Sequence, residues 1–213
     1  MRPPEDWRRA RVTLAIAGAT AAAFLLVALM GAGERAIMWG GFFPHRFGSD
    51  VYAPGAPVWL TPLTATLLHA GLLHLLFNLL IFVFCGRSTE NVLGPASIAI
   101  LYVVGAFAAA GGQYLMNPNS TNPMVGASGA IAAVIGAYSM LFGQNKVKVA
   151  NPTLALWLNA LWLLAGWIAL NAVMGLTMQR SADLSIAVGA HIGGFVAGLL
   201  LARPLLMFRY RKA

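Results

Sequence analysis

Acidic residues are scarce. The 213 residues hold only Glu5, Asp6, Glu34, Asp50, Glu90 and Asp183, against 14 Lys and Arg. Charged residues of both signs make up 9% of the chain and hydrophobic residues 59%. So little charge cannot clothe a soluble domain of this length, and the composition belongs to an integral membrane protein. None of the six acids falls within an apolar run, which excludes paired carboxylates at bilayer depth and with them an intramembrane aspartyl protease. H-E-x-x-H is also missing, so the commonest zinc-protease pattern is excluded. The single cysteine, Cys85, precludes an internal disulfide and reads as a packing residue. There is no internal repeat and no low-complexity linker.

What the chain does have is long apolar runs. A hydrocarbon core about 30 Å thick needs about 20 apolar residues per helical span. Six runs lie near residues 12–31, 62–85, 95–116, 128–143, 152–176 and 186–207, giving an all-α, six-transmembrane-helix bundle. The fourth is short, as expected of a central helix that starts inside the bilayer below a re-entrant loop. Residues 1–11 and 208–213 are then tails flanking one membrane domain over 12–207. Even-numbered spans put both tails on one side, together with eleven of the basic residues: Arg2, Arg8, Arg9, Arg11, Arg87, Lys146, Lys148, Arg203, Arg209, Arg211 and Lys212. Arg35, Arg46 and Arg180 fall opposite. Positive charge accumulates in cytoplasmic loops, so both termini are expected in the cytoplasm. The formal net charge of +8 is thus a topology signal spread over short segments rather than a nucleic-acid surface. The first run follows an arginine-rich start, but its roughly 19 residues exceed the 7–15 of a signal-peptide core, so it reads as a retained span. The loop over 32–61 is long and rich in Gly, Pro and aromatics, the composition of a functional or interfacial segment.

Polar residues inside spans are costly and mark functional sites or interhelical hydrogen bonds. HAGLLHLLFN, residues 69–78, places His69, His74 and Asn78 in the second span, with His74 and Asn78 four apart on one helix face. In AVGAHIGGFVAG of the sixth span, Ala190, Gly194 and Gly198 recur every four residues beside His191. Ser128, Ala132 and Gly136 repeat that spacing in the fourth span. Such small-residue ridges let helix backbones approach closely. If the two ridges pack together, Ser128 and His191 meet at one depth as nucleophile and base. Ser128 then stands at a helix N-terminus, whose free N–H groups can stabilise an oxyanion. The alternative is that both ridges serve packing alone.

With no acid in a span, a Ser-His dyad is favoured over a carboxylate triad. Asp183 precedes the sixth span, but nothing in its spacing ties it to His191. A metal site built from His69, His74 and His191 is a weaker reading, because it has no adjacent carboxylate to orient its ligands. Gly129 follows Ser128 directly, so the motif is not the G-x-S-x-G elbow of soluble hydrolases. Gly126 and Gly129 suit a sharply turning loop that approaches a substrate carbonyl. The polar stretch NPNSTNPM, residues 117–124, gives water a route to that point.

Five short motifs, taken together and in order, resemble the rhomboid intramembrane serine proteases over about residues 39–200. They are WGGFFP in the first outer loop, His69-x4-His74-x3-Asn78, RSTENVLG with Glu90 and Gly94, GASG at 126–129, and A-H-x-G-G-x3-G at 190–198. The resemblance implies a six-helix bundle with a water-filled cavity open to the outer side, cleaving transmembrane protein substrates within the lipid bilayer near their outer ends. It implies Ser128 as nucleophile and His191 as base, with His74, Asn78 and the Ser128 amide as oxyanion donors and His69, Gly126, Gly129, Gly194 and Gly198 in support. No cofactor, metal or nucleic acid is implied, and the expected setting is a prokaryotic inner membrane. An inactive relative that binds transmembrane clients is the alternative, and both Ser128 and His191 speak against it. A transporter is expected to show paired broken helices in two halves, which are not seen.

Two positions depart from the family pattern. Trp59-Leu60 stands where the family has Trp-Arg, an arginine read as structural. Ala132 stands where the family has an aromatic stacked on the catalytic histidine, so something else must orient His191. The resemblance also points to the fifth span with residues 177–185 as the substrate gate, with Trp157, Trp162 and Trp167 supplying no chemistry.

Overall fold

The computed structural model describes residues 7–47, 55–142, 151–178 and 187–211. These form eight α-helices: α1 (Arg11–Leu29), α2 (Gly33–Gly40), α3 (Thr61–Leu67), α4 (Leu72–Leu93), α5 (Pro95–Met116), α6 (Ser128–Phe142), α7 (Pro152–Met178) and α8 (Val188–Tyr210). Among the described residues the only β pairing is an isolated bridge between Phe42 and Met124. Helices α1, α4, α5, α7 and α8 are long and apolar enough to cross a membrane, whereas α6 has 15 residues. At 1.5 Å per residue, α6 spans only about 22 Å. It is also the most enclosed element, with every residue from Gly129 to Ala137 buried. A helix apolar all round belongs at the centre of a bundle, and α6 packs against α4, α5, α7 and α8.

The second span departs from expectation. It is not one helix over 62–85 but two, because Leu68 turns extended (φ −97°, ψ 135°) and ends α3. His69 therefore sits in the link before α4 rather than on the helix carrying His74 and Asn78. Hydropathy counts apolar residues and is blind to such a change of backbone direction. Helix α4 also runs past Cys85 to Leu93, which places Arg87 and Glu90 in its last turns.

Glu90, expected outside the spans, is 1% exposed. Its carboxylate accepts Val12 N–H at 2.9 Å and Thr13 N–H at 2.7 Å, and the Thr13 hydroxyl at 2.7 Å. The α1 N-cap position is Ala10, which offers no capping side chain. A carboxylate from α4 thus satisfies the orphan donors of α1 and complements its dipole. The next turn is fixed by Gly94, whose φ of 88° falls in the left-handed region between the end of α4 and Pro95.

Lipid gives helices no hydrophobic reason to associate, so close backbone packing supplies the attraction. Here it is concentrated along α8. A Cβ at Gly194 would strike Gly129 O, and one at Gly198 would strike Ala133 O. On its other side, a Cβ at Gly189 or Gly193 would likewise strike Gly112 O or Ala108 O of α5. The ridges of the fourth and sixth spans therefore meet.

Candidate active site

The WGGFFP motif and the segment before the serine hold each other. Phe42 and Met124 exchange backbone bonds, Phe42 N–H to Met124 O at 3.1 Å and Met124 N–H to Phe42 O at 2.7 Å. His45 N–H donates to Ser120 O at 3.2 Å. Leu60 stands where the Trp-Arg pattern has arginine, but Arg46 braces the same loop: it lies 4.1 Å over the Phe43 ring, and its Nη1 donates to Met38 O at 3.4 Å.

From this anchor the chain turns at Gly126, whose φ is 110° and whose N–H donates to Ala65 O at 2.9 Å. Only glycine fits there, for a second reason as well. A Cβ would lie 2.6 Å from Cε1 and 2.7 Å from Nε2 of His74, so the imidazole rests against the loop backbone. Two residues later α6 begins at Ser128, and its first helical bond runs from Ile131 N–H to Ala127 O at 2.9 Å. The preceding N–H groups, Ser128 to Ala130, have no intrahelical acceptor.

Ser128 Oγ lies 3.0 Å from His191 Nε2. His191 is 3% exposed, on the first turn of α8, and Ser128 is half-buried. With the ring proton on Nδ1, Nε2 is the acceptor and the serine hydroxyl the donor; the distance itself fits either tautomer. Asn78 is buried one turn beyond His74 on α4, and its Nδ2 donates to His74 O at 2.8 Å. An amide nitrogen carries two hydrogens, so one donor remains. His69 packs edge-to-face on His74 with ring centroids 5.0 Å apart. The structure thus gathers His69, His74, Gly126, Gly129, Gly194, Ser128 and His191 at one end of the bundle, while Gly198 backs α8 two turns along. His69, His74 and His191 do not form a group able to hold a metal ion, nor does any other trio of His, Cys, Asp or Glu among the described residues. Asp183 lies outside the described residues.

One neighbour of the pair escapes sequence reasoning. Trp167 of α7 is buried, with its ring edge-to-face against His191 at 6.0 Å between centroids and 64° between planes. A signal was present. Trp157, Trp162 and Trp167 are five residues apart, so successive members point about 140° away from one another and all three cannot share a face. Trp157 and Trp162 are indeed 47% and 69% exposed.

The pair joins a half-buried serine at the start of the short central helix to a buried imidazole of α8, within a bundle of helices long and apolar enough to cross a membrane. Residues 57–208 match the rhomboid domain family. This chain belongs to the rhomboid family. It is 33% identical over 137 residues to the rhomboid protease GlpG of Yersinia pestis (strain Pestoides F), covering 63% of this chain and 44% of that protein. It is 32% identical over 141 residues to the rhomboid protease GlpG of Photorhabdus laumondii, covering 65% and 45% respectively. The chain matches less than half the length of these curated relatives.

Proposed function

We propose that this protein is an intramembrane serine endopeptidase that hydrolyses peptide bonds in or near transmembrane helices of membrane-protein substrates. The observation that carries the reading is the 3.0 Å contact between Ser128 Oγ and His191 Nε2 in a bundle of apolar helices. In this reading Ser128 Oγ attacks the scissile carbonyl while His191 Nε2 takes its proton. The carbonyl oxygen becomes an oxyanion held by the Ser128 amide, the second Asn78 Nδ2 hydrogen and His74. Collapse breaks the C–N bond, and the imidazolium returns its proton to the departing amine, leaving an acyl-serine. Water then attacks the ester with His191 again as base, releasing the acid and restoring the hydroxyl.

Topology follows the same proposal. Both termini lie in the cytoplasm of a bacterial cell, on the side of the basic tails, and residues 12–207 act as one membrane domain. The dyad then sits in the outer half of the bilayer, and substrate helices reach it laterally past α7. A helix hides its carbonyls in its own hydrogen bonds, so substrates with helix-breaking residues near the outer boundary are cut fastest. The test is incubation of purified protein with a transmembrane substrate in detergent or liposomes. Cleavage by wild type and none by Ser128→Ala is expected; equal cleavage by both overturns the reading.

A further inference from the structure

A histidine held through one nitrogen is under-determined. Rotation about its terminal torsion is broad and roughly two-fold, so a contact at Nε2 alone leaves the ring free to swing. Serine hydrolases commonly fix the other nitrogen with a carboxylate. Here His191 Nδ1 is buried and makes no hydrogen bond with any described residue. The buried acid among the described residues, Glu90, is committed to the start of α1. Ala132, four residues after the serine, is fully buried and offers only a methyl group. The aromatic ring packed on His191 comes instead from another helix, as Trp167 of α7. The indole Nε1 is itself buried without a hydrogen-bond partner among the described residues, so packing holds Trp167 in place there.

We infer that Trp167 is a positioning residue for His191, holding the imidazole in the one orientation that keeps Nε2 on Ser128 and the proton on Nδ1. The inference rests on His191 being the base of the proposed protease. Edge-to-face packing favours one ring setting over its alternatives. When His191 takes the serine proton it becomes a cation beside an indole, and that contact strengthens as the reaction proceeds. An interaction stronger in the transition state than in the ground state acts on kcat rather than KM. Because α7 carries the indole, movement of α7 away from the bundle loosens the base as well as opening a path.

The experiment compares Trp167→Leu, Trp167→Phe and Trp162→Leu with wild type in liposomes, measuring kcat and KM on a transmembrane substrate and the rate of Ser128 labelling by a small fluorophosphonate. Trp167→Leu is expected to lower kcat and the labelling rate by roughly 10-fold with KM little changed, the size expected for one aromatic contact strengthened by charge. Trp167→Phe keeps a ring and is expected to recover most of the loss. Trp162→Leu, at an exposed position on the same helix, should match wild type. Labelling by Trp167→Leu at the wild-type rate, or failure of Trp167→Phe to exceed it while both remain folded by thermal unfolding, overturns the assignment. Residual cleavage in a parallel Ser128→Ala sample would instead overturn the protease reading.

Discussion

Replacing Gly198 tests the link between helix packing and chemistry. A Cβ built there would lie 2.6 Å from the Ala133 carbonyl carbon and 2.8 Å from its Cα, with the carbonyl oxygen nearer still. Ordinary contact needs about 3.5–4 Å, so α8 must retreat from α6 by roughly 1 Å. His191 lies seven residues earlier on the same rigid helix, about two turns away. A rigid retreat stretches the 3.0 Å contact to Ser128 to about 4 Å, beyond hydrogen-bonding reach. Misplacement by about 1 Å can cost 10²-fold in rate, while overpacking costs about 1–3 kcal/mol in stability. Gly198→Ala should therefore lower kcat/KM about 10²-fold while the protein still folds, and Gly198→Val should do more. Substrate cleavage and fluorophosphonate labelling, read beside thermal unfolding, separate the two effects. Gly111→Ala is the control, because nothing lies within 4 Å of a Cβ there, whereas its neighbour Gly112 faces Gly189 O. Full activity in Gly198→Val would refute the reasoning, since α8 would then have moved without carrying His191.

Other outcomes follow from the same geometry. Ser128→Ala and His191→Ala should each abolish cleavage, and the double variant should be scarcely worse, because residues acting as a unit are not additive; normal turnover in His191→Ala removes the dyad. Asn78→Ala and His74→Ala should each lower kcat by about 10²–10³, the usual loss for one oxyanion donor, while unchanged rates in both would make these residues packing groups. Glu90→Ala strips three hydrogen bonds from a buried carboxylate and leaves the start of α1 uncapped. It should cost about 2–4 kcal/mol, read as a lowered unfolding temperature with the active fraction still labelling normally.

The spans were legible because bilayer thickness imposes a length that hydropathy registers, and α5 begins and ends where its apolar run does. The serine–histidine pairing was legible from two small-residue ridges of equal spacing. Three features were not. The break at Leu68 lies inside an apolar run, so only backbone dihedrals reveal it. Glu90 follows a span and reads as a loop acid until the unsatisfied N–H groups of α1, 77 residues away in sequence, are brought to it. Trp167 could be separated from Trp157 and Trp162 by angular spacing, but which of the three faces the bundle depends on how α7 docks, and that is a long-range property.

The carboxylate that completes α1 also constrains how the protein is made. Helix α1 leaves the ribosome before α4, and the Glu90 side chain that receives Val12 and Thr13 is synthesised 77 residues after Thr13. At about 5–20 residues per second, α1 waits roughly 4–15 s with its leading amides unanswered except by water. Until α4 arrives, the start of α1 gains more by staying wet than by sinking into lipid. Folding therefore passes through a stage in which α1 is made but its start is not yet latched. Arrival of Glu90 closes that interval.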